Sequence, residues 1–401
     1  MSESSTPRPL PSWSDQMKAL EGVGDNLIAK WRPQGATEAE RQDMYKLALS
    51  ILACGYLCHV YTDARRPVFM PLWNYACNQG GPDPDYVYSQ VEVDPKGVYR
   101  ISGYRGTSRF VEITQQAVKL LEPSMMDGGY RLDVTHDLDE LSLGEDGYFS
   151  TVLSAERPAG YRGDWWRLDA KARSLLMRRC SCDWNREVDA RVAIHRLDEG
   201  GADMSPQEIA RRFSEMASWV RGMIEFDMRL VRYYREHHGI NVLLRSTKID
   251  EMGGLPKQAY YDGIYEIDDG EALIVETALP KKCRYWQILV ADDRFSTVDW
   301  VNRQSSLNDV QARVDRDGKL RAVVSRRDPG VPNWLDKADF PWGILQMRFN
   351  HASDFPEASV TRVKLADVRK HLPQDTPVVT QGERQEQLRI RREGALLRRI
   401  W

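Results

Sequence analysis

SRFVEI (residues 108–113) and CRYWQI (residues 283–288) decide the fold, because the two stretches match position by position at an offset of 175. Both alternate inward and outward side chains, as a β-strand does. Four further matches keep the same order along the chain: Tyr86-Val87 with Tyr260-Tyr261 (offset 174), Asp146-Gly147 with Asp317-Gly318 (171), Trp165 with Trp334 (169) and Arg178 with Arg348 (170). Ordered matches with slowly drifting offsets indicate two copies of one β-unit.

The period-two pattern predicts the architecture of each copy. Residues 86–94 alternate in and out, and Asp-Gly turns separate short β-runs, which is typical of antiparallel sandwiches and jelly rolls. We therefore predict an α+β fold. It consists of two tandem antiparallel β-sandwich or jelly-roll-like domains from an internal duplication, with N-terminal, connecting and C-terminal helices.

Helical periodicity predicts where the helices lie. Residues 13–31 carry apolar side chains at helical spacing. Thr37 and Glu40 form a capping box before an apolar stripe over 37–61. Ser205 and Pro206 begin a helix over 206–238, and 382–401 is a basic amphipathic helix. The expected units are 1–62 (N-terminal helical segment), 63–204 (first copy), 205–240 (connecting helix), 241–372 (second copy) and 373–401 (tail helix).

Composition limits the classes of partner. The 401 residues include 56 Lys plus Arg and 59 Asp plus Glu, a net charge of −3, which disfavours nucleic-acid binding. The start, MSESSTPRPLPSW, has no signal-peptide pattern. The uncharged stretch 47–61 has 15 residues, fewer than the ~20 of a membrane span. Six cysteines without a C-x-x-C pair are typical of buried thiols in a reducing compartment. We expect a cytoplasmic protein without membrane contact.

The second copy carries motifs of a known family. CRYWQILVADD (283–293), DGKLRAVVSRRDPGVPNWLD (317–336) and GILQMRF (343–349) resemble the C-terminal domain of the family catalogued as domain of unknown function 1214. The first copy looks like the β-domain upstream in relatives. The resemblance implies two β-sandwich-like domains and a bacterial protein, but no settled reaction. Relatives are common in bacteria that degrade aromatic and steroid-like compounds. Many have secretion signals, and their absence here implies a cytoplasmic branch.

Strong cofactor and metal motifs are absent from the sequence. It contains no G-x-G-x-x-G, Walker loop, G-x-S-x-G or H-E-x-x-H, and no pair of His at ligand spacing among its seven. We therefore expect no cofactor and no metal, and a site built from Arg, Tyr, Trp, Asp and His.

Three loci are candidates for that site. The first is the loop from Asn74 to Tyr88, where Asn74, Asp85 and Tyr88 could line a mouth at the edge of the sandwich. The second is the turn Tyr104-Arg105-Gly106, whose Arg could clamp a carboxylate or phenolate. The third combines Asn333 and Trp334 with Arg348 and His351, and there a neutral His could act as a general base. A surface loop or a satisfied structural pair is the alternative at each locus. The candidate catalytic residues are Arg348, His351, Tyr104 and Arg105. The candidate substrate-binding residues are Asn74, Asp85, Tyr88, Tyr261, Trp286, Asn333 and Trp334.

Two functions follow. The first is a cofactor-independent enzyme of aromatic or steroid catabolism. It would act on an apolar, aromatic small molecule by acid–base chemistry, as a lyase that eliminates or cleaves C–C bonds. The alternative is a non-catalytic small-molecule-binding or assembly protein. In both cases we expect a homo-oligomer, a dimer formed through the C-terminal helix. The stripe over 206–238 is either core or the wall of an apolar pocket between the copies.

Overall fold

Each half of the chain forms one β-sandwich, in which a five-stranded sheet packs against a four-stranded sheet. The computed structural model describes residues 12–118, 132, 134–198, 204–252 and 254–400. Helices lie before, between and after the two sandwiches. The predicted fold class, α+β with two tandem sandwiches and three sets of helices, is confirmed.

The first copy contributes strands β1 to β9. Its five-stranded sheet has the order β1-β2-β8-β4-β5, and its four-stranded sheet has the order β7-β6-β3-β9. The strands are β1 (Met70–Pro71), β2 (Tyr86–Glu92), β3 (Tyr99–Tyr104), β4 (Phe110–Gln116), β5 (Thr135–Asp137), β6 (Tyr148–Ser154), β7 (Asp164–Arg167), β8 (Ser174–Cys180) and β9 (Arg191–Arg196).

The second copy repeats this topology strand for strand. Its sheets have the orders β10-β11-β17-β13-β14 and β16-β15-β12-β18. The strands are β10 (Leu244–Ser246), β11 (Gln258–Glu266), β12 (Glu271–Ala278), β13 (Tyr285–Ala291), β14 (Ser306–Asn308), β15 (Lys319–Ser325), β16 (Trp334–Asp336), β17 (Trp342–Asn350) and β18 (Ala358–Lys364). The sheets are antiparallel except that β7 and β16 each pair parallel to their neighbour, which corrects the purely antiparallel prediction.

The strand registers correct one of the sequence matches. Arg178 lies opposite Tyr88 in the first copy, and Arg348 lies opposite Tyr260 in the second. With Arg178 equivalent to Arg348, the counterpart of Tyr260 is therefore Tyr88, not Tyr86. The offset in this strand is 172 rather than 174.

A hydrogen bond outside the strands supports the same register. The Tyr88 hydroxyl accepts the backbone N–H of Asp83 at 3.1 Å, five residues earlier. The Tyr260 hydroxyl accepts the backbone N–H of Leu255 at 3.0 Å, again five residues earlier. Asp83 and Leu255 therefore occupy equivalent positions in the two copies.

The five-stranded sheets are buried on both faces, because each has a second neighbour. One face of each sheet contributes to the core of its own sandwich. The other face contributes to a shared core with the central helix, in which side chains of both copies meet. We call this junction the seam. The outer sheet of the second copy is partly covered by the 3-10 helix Leu365–His371, which forms a small hydrophobic cluster with β12 and β15. The edge strands β9 and β18 of the outer sheets keep exposed positions.

Six α-helices frame the sandwiches in the described part of the chain: α1 (Trp13–Lys18), α2 (Val23–Trp31), α3 (Glu38–Gly55), α4 (Pro206–His237), α5 (Lys248–Glu251) and α6 (Gln381–Leu397). The helix predicted over 13–31 is two helices: α1 ends at Lys18, and α2 begins after Gly22, whose φ of 72° is not helical. The capping box of Thr37 and Glu40 begins α3 as predicted. This helix continues into a π-helical turn, Tyr56–Tyr61.

By length and composition alone, Glu38–Tyr61 is apolar enough to cross a membrane, the single such helix among the residues that the structure describes. This is weak evidence, because 44% of its most apolar window is buried and it packs against α4. A core helix passes the same test.

Candidate small-molecule site at the seam

A cavity of about 90 Å³ lies at the seam, between β2 and β8 of the first copy, β11 and β17 of the second, and α4. A water needs roughly 10–15 Å³ on this measure, so the enclosed part takes several waters. Together with the opening towards solvent the space measures about 680 Å³, which has room for a small organic molecule. Aromatic rings form much of its wall: Trp73, Tyr86, Tyr88, Phe226, Tyr260 and Phe295. Arg178, Arg348 and the amides of Gln116, Gln258 and Gln346 supply the polar part.

Equivalent positions of the two copies meet beside this cavity. In the corrected register Tyr86 corresponds to Gln258. The Tyr86 hydroxyl donates to Oε1 of Gln258 at 2.7 Å. Contact between equivalent residues is expected where two copies face each other about an approximate twofold axis. The twofold arrangement therefore places one arginine of each copy, Arg178 and Arg348, on the same cavity.

The Arg348 guanidinium is compensated by a carboxylate of the other copy. Its Nη1 lies 3.0 Å from Oδ2 of Asp83, and its Nη2 donates to the carbonyl of Gly81 at 2.9 Å. Asp83 is 1% exposed, so the pair is shielded from solvent. A buried charge is tolerated when it is paired and hydrogen-bonded in this way.

A tyrosine joins Asp83 to a second carboxyl group. The Tyr285 hydroxyl is 3.0 Å from both Asp83 oxygens and 2.7 Å from Oδ2 of Asp85. Oδ1 of Asp85 accepts from Trp184 at 2.8 Å and from Asn308 at 2.7 Å. One phenol proton cannot serve two carboxylates, so the arrangement is satisfied when Oδ2 of Asp85 carries a proton and donates to Tyr285.

Burial raises the pKa of Asp85, which agrees with a protonated carboxyl group. Desolvation, and next the negative charge of Asp83, raise the pKa of Asp85 to about 7. Hydrogen bonds from Tyr285 and Asn308 oppose this shift. We call Asp85, Tyr285 and Asp83 the seam array; it ends at Arg348 on the cavity wall.

Arg178, the counterpart of Arg348, has no carboxylate partner within 4 Å among the described residues. It is 6% exposed, and within that part of the chain its hydrogen bond runs from Nη1 to Oγ1 of Thr114 at 3.1 Å. Its cross-strand neighbour Glu112 is 3.3 Å from Arg284 and 3.6 Å from His351 instead. Desolvation, and next the charge of Asp137, raise the pKa of Glu112 to about 7, which limits its compensation of Arg178.

The structure brings three of the candidate residues together. Arg348 and Tyr88 line the seam cavity, and Asp85 reaches Arg348 through Tyr285 and Asp83. Asn74 is nearby. Its Oδ1 accepts the N–H groups of Ala76 and Cys77, so it closes a turn of the loop before β2.

The other candidate residues lie away from the cavity. His351 is 35% exposed by its side chain and contacts Glu112 at another edge of the seam. Arg105 binds Asp139 at 2.5 Å, next to Tyr104 at the end of β3. Tyr261 and Trp286 belong to the core of the second sandwich.

Asn333 and Trp334 serve the outer end of that sandwich. Asn333 donates to the carbonyls of Arg313 and Arg321. Trp334 donates to the carbonyl of Ser325. These contacts correspond to the structural pair that the sequence offered as the alternative.

Two buried arginines of the C-terminal helix α6 bind other parts of the chain. Arg384 binds Asp328 at 2.8 Å, and Arg391 binds the carbonyl of Trp300 at 2.7 Å. Beyond the helix, Arg398 binds Asp189 and the carbonyl of Pro84. The segment thus crosses from the second copy to the loop of the first copy that carries the seam array. These arginines are not exposed for a second subunit, although a dimer stays a prediction.

Sequence reasoning missed Arg178, Asp83 and Tyr285. Arg178 was part of the repeat, and its match with Arg348 was the available signal. Tyr285 was also in the repeat, where it matches Phe110 of the first copy. The repeat alone does not predict that the two copies contact each other through the sheet faces that carry these residues. Within the described residues, no group of three His, Cys, Asp or Glu could hold a metal ion.

The fold and the cavity define a class of protein: two β-sandwiches of one topology, facing each other across a small polar and aromatic site. The family described as "Protein of unknown function (DUF1214)" matches residues 269–352. The resemblance predicted from the second copy is thereby confirmed for this C-terminal part of the chain. A comparison with curated proteins finds no match.

Two solved structures resemble the chain. An uncharacterised protein from Burkholderia cenocepacia is 24% identical, with a TM-score of 0.79 over 88% of this chain and 97% of that chain. This likeness shows the fold alone. The VPA0106 protein from Vibrio parahaemolyticus is 14% identical, with a TM-score of 0.45 over 79% of this chain and 98% of that chain. A similarity at that level supports no argument about this protein.

Proposed function

We propose that the protein binds a small aromatic molecule in the seam cavity. The observation that carries the proposal is the composition of the wall, six aromatic rings together with two buried arginines, at the junction of two copies. Ligand sites favour such concave junctions, with mostly apolar walls and a few polar groups that orient the ligand.

A substitution at the edge of the cavity tests this proposal. Ile249 lines the cavity and is half-buried, so a larger side chain there can obstruct the space without entering the sandwich cores. Monocyclic aromatic compounds are screened for a rise in melting temperature of the wild-type protein. Ile249→Trp should remove the rise caused by any hit. Ile240→Trp, at an isoleucine that is 43% exposed and does not line the cavity, should keep it.

A compound that raises the melting temperature of wild type and of Ile249→Trp equally binds elsewhere, and that result argues against the seam as the site. Absence of any hit across the screen argues against binding of this class of molecule.

The seam array favours a second candidate, the acid–base enzyme. A proton on Asp85 can pass to Tyr285 while Tyr285 passes its own proton to Asp83, so charge and protons balance. Once Asp83 carries the proton it no longer neutralises Arg348, whose charge on the cavity wall can then stabilise a phenolate that enters as the anion. An elimination or C–C cleavage of an aromatic compound in bacterial catabolism is the reaction class that we propose for this candidate.

The enzyme candidate is tested with any aromatic compound that binds. Its consumption by the wild-type protein is followed by mass spectrometry and compared with Tyr285→Phe. Turnover that falls in Tyr285→Phe while the dissociation constant stays the same supports the enzyme. A bound compound that is recovered unchanged by wild type leaves a binding protein.

A further inference from the structure

We propose that the ligand of the seam cavity is an anion, a small aromatic carboxylate, whose charge is recognised by Arg178. This inference rests on the proposed binding function and names the class of ligand. The observation behind it is a difference between the two copies: Arg348 pairs with a carboxylate, and the equivalent Arg178 bonds a hydroxyl.

Arg348 of the second copy is paired with a carboxylate from the first copy. Asp83, from the loop before β2, reaches across the seam to Arg348 of the second copy. The symmetric contact would join the loop before β11 to Arg178 of the first copy. The residue equivalent to Asp83 in that loop is Leu255, since both donate a backbone N–H to the tyrosine five residues later.

Leucine cannot compensate a guanidinium, so no carboxylate of the described residues lies within 4 Å of Arg178, and the nearby Glu112 offsets its charge only in part. It is 6% exposed, and its hydrogen bond in that part of the chain goes to the hydroxyl of Thr114. Removing such a charge from water is costly unless an opposite charge joins it. The missing carboxylate can come from a ligand in the cavity that Arg178 lines.

The surroundings of Arg178 suit a carboxylate attached to a ring. Guanidinium groups bind carboxylates with two parallel N–H bonds, and Arg178 uses one donor on Thr114. The amides of Gln116 and Gln258 line the same cavity as further donors. Tyr88 and Tyr260 offer ring surface on both sides of the approximate axis.

The probes are 4-fluorobenzoate and 4-fluorobenzyl alcohol, which are similar in size and differ in charge. Their binding to the full chain is measured by ¹⁹F NMR. We expect the benzoate to bind wild type about 10-fold or more tighter than the alcohol, as a charged hydrogen bond in a buried site implies. Arg178→Gln should weaken benzoate binding about 10- to 100-fold and leave alcohol binding within about 2-fold. Arg178→Lys should recover part of the benzoate affinity.

Arg179→Gln is the matched control. Arg179 follows in the same strand and points to the opposite face, where it binds Ser89. This variant should bind benzoate like wild type. Leu255→Asp should supply the missing carboxylate from the protein itself and abolish preference for benzoate.

The outcomes separate the two claims. If both probes bind wild type equally and Arg178→Gln changes neither, the anion inference is overturned while the binding function stands. If neither probe binds, the binding function fails and the inference fails with it. Should Arg178→Gln not fold, the comparison of benzoate with the alcohol on wild type still decides between charge recognition and simple apolar binding.

Discussion

Replacing Asp85 by asparagine should reduce the pH dependence of stability. In the folded protein the pKa of Asp85 is raised from 3.8 to about 7, mainly by desolvation. Between these two values the folded state holds a proton that the unfolded state has released. The stabilising effect of that proton is complete below pH 4 and is lost as the pH rises through 7.

The magnitude follows from the two pKa values. A shift of about 3 units is worth roughly 4 kcal/mol in total. About 2–3 kcal/mol of this falls between pH 5 and pH 8. The substituted side chain cannot ionise, yet its amide can donate to Tyr285 and accept from Trp184 and Asn308. The free energy of unfolding of Asp85→Asn, relative to wild type, should therefore rise by about 2–3 kcal/mol from pH 5 to pH 8.

Urea titrations at a series of pH values measure this difference. Other buried carboxyl groups with a raised pKa, such as Asp262 and Glu112, are present in both proteins and cancel. Asp317→Asn is the control: Arg321 holds the pKa of this exposed carboxyl at about 2, so its effect is complete above pH 5 and its difference profile should be flat. A flat profile for Asp85→Asn as well would mean that Asp85 is ionised throughout, and the proton assignment in the seam array would be refuted.

Two further substitutions test the seam. Tyr285→Phe should lower the free energy of unfolding by about 1.5–3 kcal/mol in urea titrations, because two buried carboxyl groups lose their shared donor and acceptor. Tyr261→Phe is its control and should differ little from wild type, since that hydroxyl has no hydrogen-bond partner among the described residues. Equal effects of the two substitutions would count against the array. Arg398→Ala should remove the ion pair with Asp189 that holds the end of α6, and hydrogen exchange in α6 should become faster. Arg392→Ala, at an exposed arginine, should exchange like wild type. Unchanged exchange of α6 in Arg398→Ala would show that the contact does not hold the helix.

Repetition made the fold predictable, because a duplicated period-two pattern identifies both sandwiches at once. The parallel edge strands β7 and β16 were not predictable, since runs of four and three residues carry too little periodicity to fix a direction. The break near Gly22 needed a backbone angle that the apolar spacing does not report.

The candidate site was predictable only in part, for a geometric reason. Alternation shows that Tyr260 and Tyr261 point to opposite faces of one strand, but not which face meets the other copy. Tyr260 is at the seam and Tyr261 is in the sandwich core. In the same way, Tyr285 lies in the shared core at the seam and Trp286 in the sandwich core, and alternation alone does not tell which is which. Contacts such as Arg348 with Asp83 join residues that are 265 positions apart, and no local pattern encodes them.

The most direct measurement is a crystal structure of the wild-type protein soaked in benzoate. We expect density for the ring between Tyr88 and Tyr260, with its carboxylate on the guanidinium of Arg178 and the pair of Arg348 and Asp83 undisturbed. A seam filled by the protein's own side chains, with benzoate absent or bound elsewhere, would contradict the claim that the two copies enclose a binding site.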